Sequence, residues 1–315
     1  MGDPLPSPHG VAIVGAGRMG DAHATAWAAL GVPIRAVVSP RRRPALAAAP
    51  DARWATTLDD VLADPRVTIV SICTPTPSHA SLAIRALEAG RHVLLEKPIA
   101  LTVPDARAVA DAAERAAGIL MVAHVVRFFR GYAELAERVA AGSVGEVRAV
   151  RATRLSAAPT WASWLEDDEQ SGGMVVDFAI HDFDQANLLL GAPVAVRSIR
   201  VGAAAGAGES AFGEPVATTI EYAGGGVAQV LSAADLPEGF AFGSTLDVVG
   251  SDGVDAVVGD GGDPFVEQAR YFLRCVETGS EPFRSPVTGA VDALRVALAA
   301  RRSLRSGDRE TVAGA

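Results

Sequence analysis

The feature that most constrains the fold is an alternation, over the first 124 residues, of short apolar runs with alanine-rich stretches of helical periodicity. The apolar runs are too short for helices and mostly rich in β-branched residues, which is typical of buried strands. They span residues 11–14, 34–38, 67–73, 92–96 and 119–124. Two of the helical stretches, 78–89 and 104–117, stop at a glycine, as helix C-termini favour. Strands that alternate with helices form a parallel, doubly wound sheet, so we predict an α/β Rossmann domain over residues 1–124.

The pattern changes after residue 124, and we predict a second, α+β domain over residues 125–315. Two stretches, 131–142 and about 173–190, have helical character, and the segment 146–155 alternates like a strand with one open face. Further strand candidates, separated by glycines, span residues 194–201, 216–222, 227–233 and 244–249. Consecutive long strands of this kind favour a large open, mainly antiparallel sheet. The chain closes with two predicted helices, the second of which is a candidate to pack back on the Rossmann domain, at about 264–278 and 286–305.

Composition and charge exclude several classes of protein. The chain has 28 Lys and Arg against 37 Asp and Glu, a net charge of −9, whereas general affinity for nucleic acids needs a basic face. No apolar stretch approaches the ~18 residues that would span a bilayer, and the first ten residues carry no signal-peptide pattern. Two cysteines, Cys73 and Cys275, do not make a disulfide framework, which favours a reducing compartment. We therefore expect a cytoplasmic protein without nucleic-acid or membrane partners.

A glycine-rich turn directly follows the first predicted strand and opens a helix. Its sequence, GAGRMG at residues 15–20, has the GxGxxG spacing. In this spacing the glycines allow a tight turn, close approach of the backbone to a pyrophosphate, and tight packing of helix on strand. The spacing alone is weak, but its strand–turn–helix context predicts a dinucleotide site; the alternative is a tight turn that binds nothing. The candidate cofactor-binding residues are Gly15, Gly17, Arg18, Met19 and Gly20.

The end of the second predicted strand bears on which dinucleotide binds. NAD sites place an acidic residue there to hold the adenosine ribose. This chain has Ser39, Pro40 and then arginines at 41–43 instead. A hydroxyl and guanidinium groups would bind a 2′-phosphate through charge-assisted hydrogen bonds, whereas a carboxylate would repel it. Ser39 and Arg41 therefore favour NADP over NAD, unless the arginines form only a solvated loop.

Three further motifs, taken with the glycine turn, resemble a known family. They are TPTPSH at residues 74–79, EKP at 96–98 and SGGMVVDFAIHDFD at 171–184. Each motif alone is weak, but the ordered set covers nearly the whole chain and is similar to the glucose-fructose oxidoreductase/inositol dehydrogenase/MocA (Gfo/Idh/MocA) oxidoreductase family. The resemblance implies a Rossmann domain and an α/β domain whose open sheet often serves as an oligomer interface. It also implies oxidation or reduction of a carbinol of a sugar, cyclitol or related polyol that lies between the domains.

The resemblance also implies roles for individual residues. The family's catalytic residues correspond to Lys97, Asp177 and His181, and its Lys-Pro bond is often cis, which would aim Lys97 into the cleft. The strand-end motifs extend the implied cofactor site to Thr74, Pro75, His79, Glu96, Lys97 and Pro98. We expect His79 to cap or pack near the nicotinamide rather than to do chemistry. The implied substrate contacts are Lys97, His124, Arg127, Trp164, Asp177 and His181.

Two of these substrate assignments have alternatives. Arg127 lies in a segment that follows the last Rossmann strand, where it contacts substrate or holds the domain interface. Trp164, or Trp161 beside it, either stacks on the C–H face of a sugar or belongs to the core.

The chemistry of carbinol oxidation fits the three catalytic candidates. Loss of hydride leaves an oxygen that must lose its proton, and histidine takes up protons near neutral pH. Asp177 and His181 are four residues apart, so on a helix they share one face; the carboxylate then orients the imidazole, or the two form only a local salt bridge. Lys97, the only lysine in the chain, ends a strand where doubly wound sheets bind ligands. Zinc would need about three protein ligands, and no third ligand is spaced convincingly, so no metal is predicted.

The sequence thus predicts an NADP-preferring dehydrogenase or reductase, with NAD as the other candidate cofactor, for a small polyol or sugar. His181 would be the general acid–base, Lys97 the oxygen polariser and proton relay, and Asp177 the orienting carboxylate. Two alternatives stay open: a redox-neutral lyase or glycosidase that keeps NAD bound, and a non-catalytic regulator that binds the cofactor. The presence of all three catalytic residues speaks against the regulator. The expected assembly is a homodimer or homotetramer through the second sheet.

Overall fold

The structure, a computed structural model, describes residues 8–41, 45–159, 162–202, 211–258 and 262–312. Within these ranges the chain divides into two units. The first comprises the described residues up to Ala100 together with Pro104–Val125 and Asp263–Val287. The second comprises Leu101–Val103, the described residues from Val126 to Gly262, and those from Thr288 onwards. Three residues considered above lie outside the described ranges, namely Arg42, Arg43 and Trp161.

The sheet of the first unit is parallel throughout its described strands. These are β1 (Val11–Val14), β2 (Ile34–Val38), β3 (Arg53–Ala55), β4 (Ile69–Ile72), β5 (His92–Glu96) and β6 (Leu120–Ala123). Their order is β3-β2-β1-β4-β5-β6, and β1, β4 and β6 are buried along their whole length. The predicted doubly wound sheet is confirmed, with its strand order reversing between β1 and β4, where such sheets bind ligands. The short edge strand β3 was not indicated by the sequence pattern.

The described helices are α1 (Arg18–Ala29), α2 (Asp59–Leu62), α3 (His79–Glu88), α4 (Val103–Arg115), α5 (Arg130–Ala140), α6 (Asp168–Ser171), α7 (Ile180–Leu190), α8 (Pro264–Thr278) and α9 (Val287–Ser306). Short 3₁₀ turns occupy Thr76–Ser78, Val125–Phe128 and Ser163–Glu166, and Met174–Phe178 forms a π-helical turn. None of the helices that the structure describes combines the length and the apolarity needed to cross a bilayer.

Helix α8 belongs to the first unit although it follows the second sheet in the sequence. Asp263 caps its N-terminus, and its fully buried Phe272 meets Trp27 of α1 with ring centroids 6.4 Å apart. The expected division placed residues 125–315 in the second domain, with the helix at about 286–305 as the one to return. The structure differs, since α8 returns and α9 belongs to the second unit from Thr288 onwards. An amphipathic pattern marks a helix but does not reveal which sheet its apolar face covers.

The second unit is built on a large mixed sheet. Its described strands are β7 (Val147–Ala157), β8 (Pro193–Arg200), β9 (Val216–Tyr222), β10 (Val227–Leu236), β11 (Gly243–Gly250), β12 (Val254–Val258) and β13 (Glu310–Thr311). They lie in the order β12-β11-β7-β10-β9-β8-β13. Neighbours pair antiparallel except β7 and β10, which are parallel, so the predicted mainly antiparallel sheet is confirmed. Helix α7 packs on β7 and β10, and side chains such as Leu231 and Val249 are exposed on the opposite, open face.

Candidate active site

The three glycines of the turn after β1 differ in what a Cβ atom would contact at each position. Gly15 has φ +105°, and a Cβ there would lie 2.5 Å from the carbonyl oxygen of Cys73. A Cβ on Gly20 would lie 1.9 Å from the carbonyl oxygen of Gly15, so α1 packs tightly on the turn. A Cβ on Gly17 would meet nothing within 4 Å, which leaves open space beside the first N–H groups of α1. The turn therefore fits the pyrophosphate of a dinucleotide.

The end of β2 presents a hydroxyl and a cation. The Ser39 side chain is buried and its Oγ donates to the carbonyl oxygen of Arg41 at 3.0 Å, while the Arg41 side chain is exposed. This is the position at which an NAD site would carry a carboxylate. The predicted contact of these two residues with a cofactor stays a prediction.

A buried charge pair supports the strand end that carries Lys97. His23 Nε2 donates to Glu96 Oε1 at 2.9 Å, and the Lys97 backbone N–H donates to Glu96 Oε2 at 3.2 Å. His23 Nδ1 lies 2.7 Å from Ser71 Oγ, which also accepts from Trp27 Nε1 at 3.5 Å. The Glu96 carboxylate, predicted at the cofactor, is thus engaged with His23 and with the backbone that it supports.

His23 and Glu96 each shift the pKa of the other. Burial alone would lower the pKa of His23, but the neighbouring Cys73 and Glu96 more than offset it and raise the pKa to about 10. Burial alone would raise the pKa of Glu96, but His23 and then Lys97 lower it below its ordinary value. Both partners are therefore charged at neutral pH. His23 could not be assigned from the sequence, because its only signal was a polar residue on the apolar face of the helix that follows the glycine turn.

His79 links two turns at the carboxyl ends of β4 and β5. Its Nδ1 lies 2.7 Å from the carbonyl oxygen of Pro98, and its Nε2 lies 2.8 Å from that of Thr74. Thr74 Oγ1 also accepts from Ser78 Oγ at 2.7 Å, which tightens the TPTPSH turn. The Lys97–Pro98 peptide bond is cis, in line with the family resemblance. His79 is 1% exposed, so it packs within this end of the first sheet.

Asp177 and His181 lie on either side of a break in the helix predicted over about 173–190. Asp177 is in the π-helical turn, which is marked by a 2.8 Å bond from Ala179 N–H to the Met174 carbonyl oxygen, and His181 is in the first turn of α7. Their spacing of four residues therefore does not give the shared face of a regular α-helix. Such π turns occur frequently at functional sites. The Asp177 side chain is half-buried, and His181 is 9% exposed.

Two glycines set the entry to the π turn. Gly172 and Gly173 have φ of +78° and +67°, which other residues rarely adopt. A Cβ on Gly172 would lie 2.5 Å from Val176 Cβ, and one on Gly173 would lie 2.2 Å from Asp168 Oδ1. The two glycines of the SGG sequence are therefore required by the backbone that leads into Asp177.

Two buried ion pairs hold the helix that carries His181. Arg154 donates from Nε and Nη2 to the two Asp182 oxygens at 2.8 Å each, and Arg127 donates to Asp184 at 2.7 and 2.8 Å. These four side chains are at most 6% exposed. Arg127, predicted as a substrate contact, is thus engaged with Asp184 in the second unit. Coulombic attraction and hydrogen bonds to the aspartates outweigh burial and raise the pKa of both guanidinium groups.

Sequence reasoning missed Arg154, although its position carried a signal. It lies on β7 at the same parity as the buried Val150 and Ala152, whereas Arg151 is exposed. Its guanidinium carbon lies 5.8 and 5.6 Å from the ring centroids of Phe178 and Phe242. An arginine on the apolar parity of an alternating strand indicates a buried partner of opposite charge.

The remaining predicted residues lie in both units. His124 is buried directly after β6 in the first unit, and Trp164 is half-buried in the Ser163–Glu166 turn of the second. Arg18 and Met19 form the start of α1, and Pro75 precedes the Thr76–Ser78 turn. Among the described residues, no group of three or more His, Cys, Asp or Glu side chains is placed to hold a metal ion.

Known proteins match both halves of the chain. Residues 9–124 match a model of an oxidoreductase family with an NAD-binding Rossmann fold, and residues 132–254 match the GFO/IDH/MocA C-terminal domain. Scyllo-inositol 2-dehydrogenase (NAD(+)) of Bacillus subtilis (strain 168) is 26% identical over 94% of this chain and 94% of its own length. D-glucoside 3-dehydrogenase of Escherichia coli (strain K12) is 33% identical over 61% of this chain and 57% of its own. The crystal structure of GenD2 from gentamicin A biosynthesis in complex with NAD has a TM-score of 0.87 and 25% identity, covering 100% of this chain and 99% of that chain.

Proposed function

This chain belongs to the Gfo/Idh/MocA family of nicotinamide-dependent oxidoreductases, and we propose that it transfers a hydride between the nicotinamide and a carbinol or ketone carbon of a sugar, an inositol or a related polyol. The observation that carries the proposal is the glycine turn, whose Gly15, Gly17 and Gly20 leave a space suited to a pyrophosphate. The inositol and glucoside dehydrogenases among the relatives support the substrate class.

In the proposed mechanism the bound nicotinamide supplies or accepts the hydride. For oxidation, the His181 imidazole takes the proton from the substrate hydroxyl, and for reduction it returns that proton. Asp177 orients the imidazole and stabilises its charged form. Lys97 Nζ donates to the substrate oxygen, which stabilises negative charge that develops there, and it relays the proton between that oxygen and His181. Glu96, which is held by His23, accepts a hydrogen bond from the backbone N–H of Lys97 and so fixes that backbone.

The direct test is an absorbance screen for reduced cofactor with NADP or NAD against inositols, free sugars and glycosides, and with NADPH or NADH against their keto forms. Stoichiometric accumulation of reduced cofactor with at least one polyol is the expected result. Conversion of a substrate with no net change in the cofactor would contradict a dehydrogenase and identify a redox-neutral enzyme.

We propose further that NADP is the preferred cofactor, with NAD as a poorer one. The support is the end of β2, where Ser39 and Arg41 stand in place of a carboxylate. The test is the ratio of kcat/KM for NADP to that for NAD in the wild type and in Ser39→Asp. The aspartate should lower the ratio by about tenfold or more through repulsion of the 2′-phosphate. A wild-type ratio below one would overturn the preference.

The same proposal includes a cytoplasmic homodimer or homotetramer that associates through the open face of the second sheet. This face carries the exposed Leu231 and Val249, and Val249 also lines a depression of about 620 Å³. The Arg151–Asp247 ion pair also lies on the face, which gives it polar as well as apolar groups to match a second copy.

A further inference from the structure

The His79 ring joins two turns that follow neighbouring, parallel strands of the first sheet. Its Nδ1 lies 2.7 Å from the carbonyl oxygen of Pro98, and its Nε2 lies 2.8 Å from the carbonyl oxygen of Thr74. The ring is 1% exposed, so water does not compete for either contact. Because His79 is also the first residue of α3, the helix fixes the position of its backbone.

Each turn leads to a different part of the proposed site. The Thr74 backbone nitrogen adjoins the glycine turn, since a Cβ on Gly15 would lie 2.9 Å from it. Pro98 follows Lys97 directly, so the Pro98 carbonyl is one peptide away from the residue proposed to polarise the substrate oxygen. One ring therefore connects the cofactor side of the first unit to its catalytic lysine.

Both partners of the ring are carbonyl oxygens, which accept hydrogen bonds and cannot donate them. The imidazolium form donates to both carbonyls, whereas the neutral ring has one N–H and donates to one at a time. Burial lowers the pKa of His79 and outweighs the two carbonyls; of the charged side chains that face it, Glu96 acts to raise the pKa and Lys97 to lower it. The lowered pKa favours the neutral ring, whose single N–H is on Nδ1 in one tautomer and on Nε2 in the other, so the two tautomers hold the two turns alternately. A substitution that keeps the equivalent of one nitrogen therefore tests one turn.

Building on the proposed function, we propose that His79 is a positioning residue. Through Nδ1 it holds the turn that carries Lys97 and so sets kcat. Through Nε2 it holds the turn at Thr74 and so sets affinity for the cofactor.

Asparagine and glutamine test the two nitrogens one at a time, because the Asn amide nitrogen imitates Nδ1 and the Gln amide nitrogen imitates Nε2. His79→Asn should keep kcat within about threefold and raise the Kd for NADPH about tenfold. His79→Gln should keep the Kd for NADPH within about threefold and lower kcat. His79→Ala should both lower kcat and raise the Kd. NADPH fluorescence titration gives the Kd, and turnover of the best polyol gives kcat.

The single lysine of the chain supplies a readout that does not need turnover. Reductive methylation with ¹³C-formaldehyde places one dimethyl-lysine NMR signal, that of Lys97, in the spectrum beside that of the terminal amine. In protein without cofactor, this signal should keep its wild-type position and width in His79→Asn and change in His79→Gln and His79→Ala.

A matched control is His92→Asn, because His92 is a half-buried histidine at the opposite end of β5 whose Nδ1 accepts from the Ile119 N–H at 3.1 Å. It should leave kcat, the Kd and the lysine signal unchanged. The proposal is overturned if the three His79 variants change all readouts together in proportion to their melting temperatures, or change none. If the wild type oxidises no polyol, the proposed function fails, while the Kd and the Lys97 signal still decide the role of His79.

Discussion

The identity of one cation carries much of the proposed chemistry. Lys97 is the only lysine among 28 Lys and Arg residues, and it directly follows β5, next to the buried Glu96. Arginine has the same charge, but its pKa above about 12 prevents it from passing a proton in a protein. Lysine and arginine at this position are therefore distinguishable by experiment.

We expect Lys97→Arg and Lys97→Ala both to lower kcat by about a hundredfold or more, since proton transfer by a positioned group contributes on this order. NADPH should bind both variants within about threefold of the wild type, because the pyrophosphate is held by the glycine turn. Steady-state kinetics and NADPH fluorescence titration measure the two effects. A Lys97→Arg enzyme with wild-type kcat would refute the proton relay, although it would leave a role for the charge.

The His23–Glu96 pair makes stability depend on pH with a defined sign. The pKa of His23 rises from its ordinary 6.5 to about 10 on folding, so its contribution is complete below about pH 6.5 and is lost as the pH rises through about 10. The pKa of Glu96 is lowered, so its contribution is present above its unfolded value and lost as the pH falls through its folded value. The pair therefore stabilises the first unit most at pH values between the unfolded pKa of Glu96 and about 6.5.

His23→Gln should lower the free energy of unfolding by about 3 kcal/mol at pH 6.5, because it leaves the buried Glu96 carboxylate without a charged partner. The difference between wild type and variant should shrink steadily from pH 6.5 to 10. Urea denaturation followed by tryptophan fluorescence at several pH values measures it. If the free energies of unfolding of wild type and variant run parallel over this pH range, His23 is neutral in the folded protein.

The residues that could be predicted from the sequence are those whose role depends on a local motif. Gly15, Gly17 and Gly20 act within six residues, and their steric roles follow from the spacing. His23 and Arg154 could not be assigned, because their partners Glu96 and Asp182 are 73 and 28 residues away. A buried polar residue can be suspected from periodicity, but its partner is chosen by the tertiary fold.

Among the elements, the strands of the first sheet were the most predictable, because burial on both faces makes them continuous apolar runs. The edge strand β3 is only three residues long and starts at the exposed Arg53, so no such run marks it. The helix predicted over about 173–190 is interrupted by the π turn at Met174–Phe178, whose i→i−5 hydrogen bonding the apolar pattern did not indicate. The docking of α8 on α1 likewise depends on which face is available after the chain has folded.

The helix that carries His181 is fixed by charges that its own sequence supplies. Asp182 follows His181 directly and pairs with Arg154, and Asp184 lies two residues further on and pairs with Arg127. Both aspartates are at most 1% exposed. Each pair is bidentate, which adds geometric specificity and restricts the position of the helix. We infer that the pairs set where the His181 ring lies.

Arg154→Met should destabilise the protein by about 3–5 kcal/mol, because it leaves the Asp182 carboxylate buried and unpaired. Adding Asp182→Leu should recover most of that loss, and the double variant should still have a lowered kcat if the pair positions His181. The control is Arg138→Met, which removes an exposed ion pair with Asp255 and should cost about 1 kcal/mol or less. A double variant with wild-type kcat would limit the Arg154–Asp182 pair to a structural role.

At the level of the whole protein, the residues proposed to be catalytic are divided between the units, since Lys97 belongs to the first and Asp177 and His181 to the second. The second unit also presents the open face of its sheet. The central strand β10 alternates between buried Val230 and exposed Leu231, so one face builds the core while the other carries apolar side chains outward. Exposed apolar groups on a broad sheet face are typical of an interface between proteins.

Leu231→Glu should therefore convert the proposed oligomer to a monomer, because it places a carboxylate in the centre of the open face where a second copy would bury it unpaired. Sedimentation velocity over a range of protein concentrations measures the change. The control is Leu188→Glu, which alters a leucine of similar exposure (46% against 39%) on α7. This helix packs on the other face of the sheet, so the variant should leave the oligomer intact. A wild-type protein that sediments as a monomer, or a Leu231→Glu variant that sediments with the wild type, would remove the open face as the site of assembly.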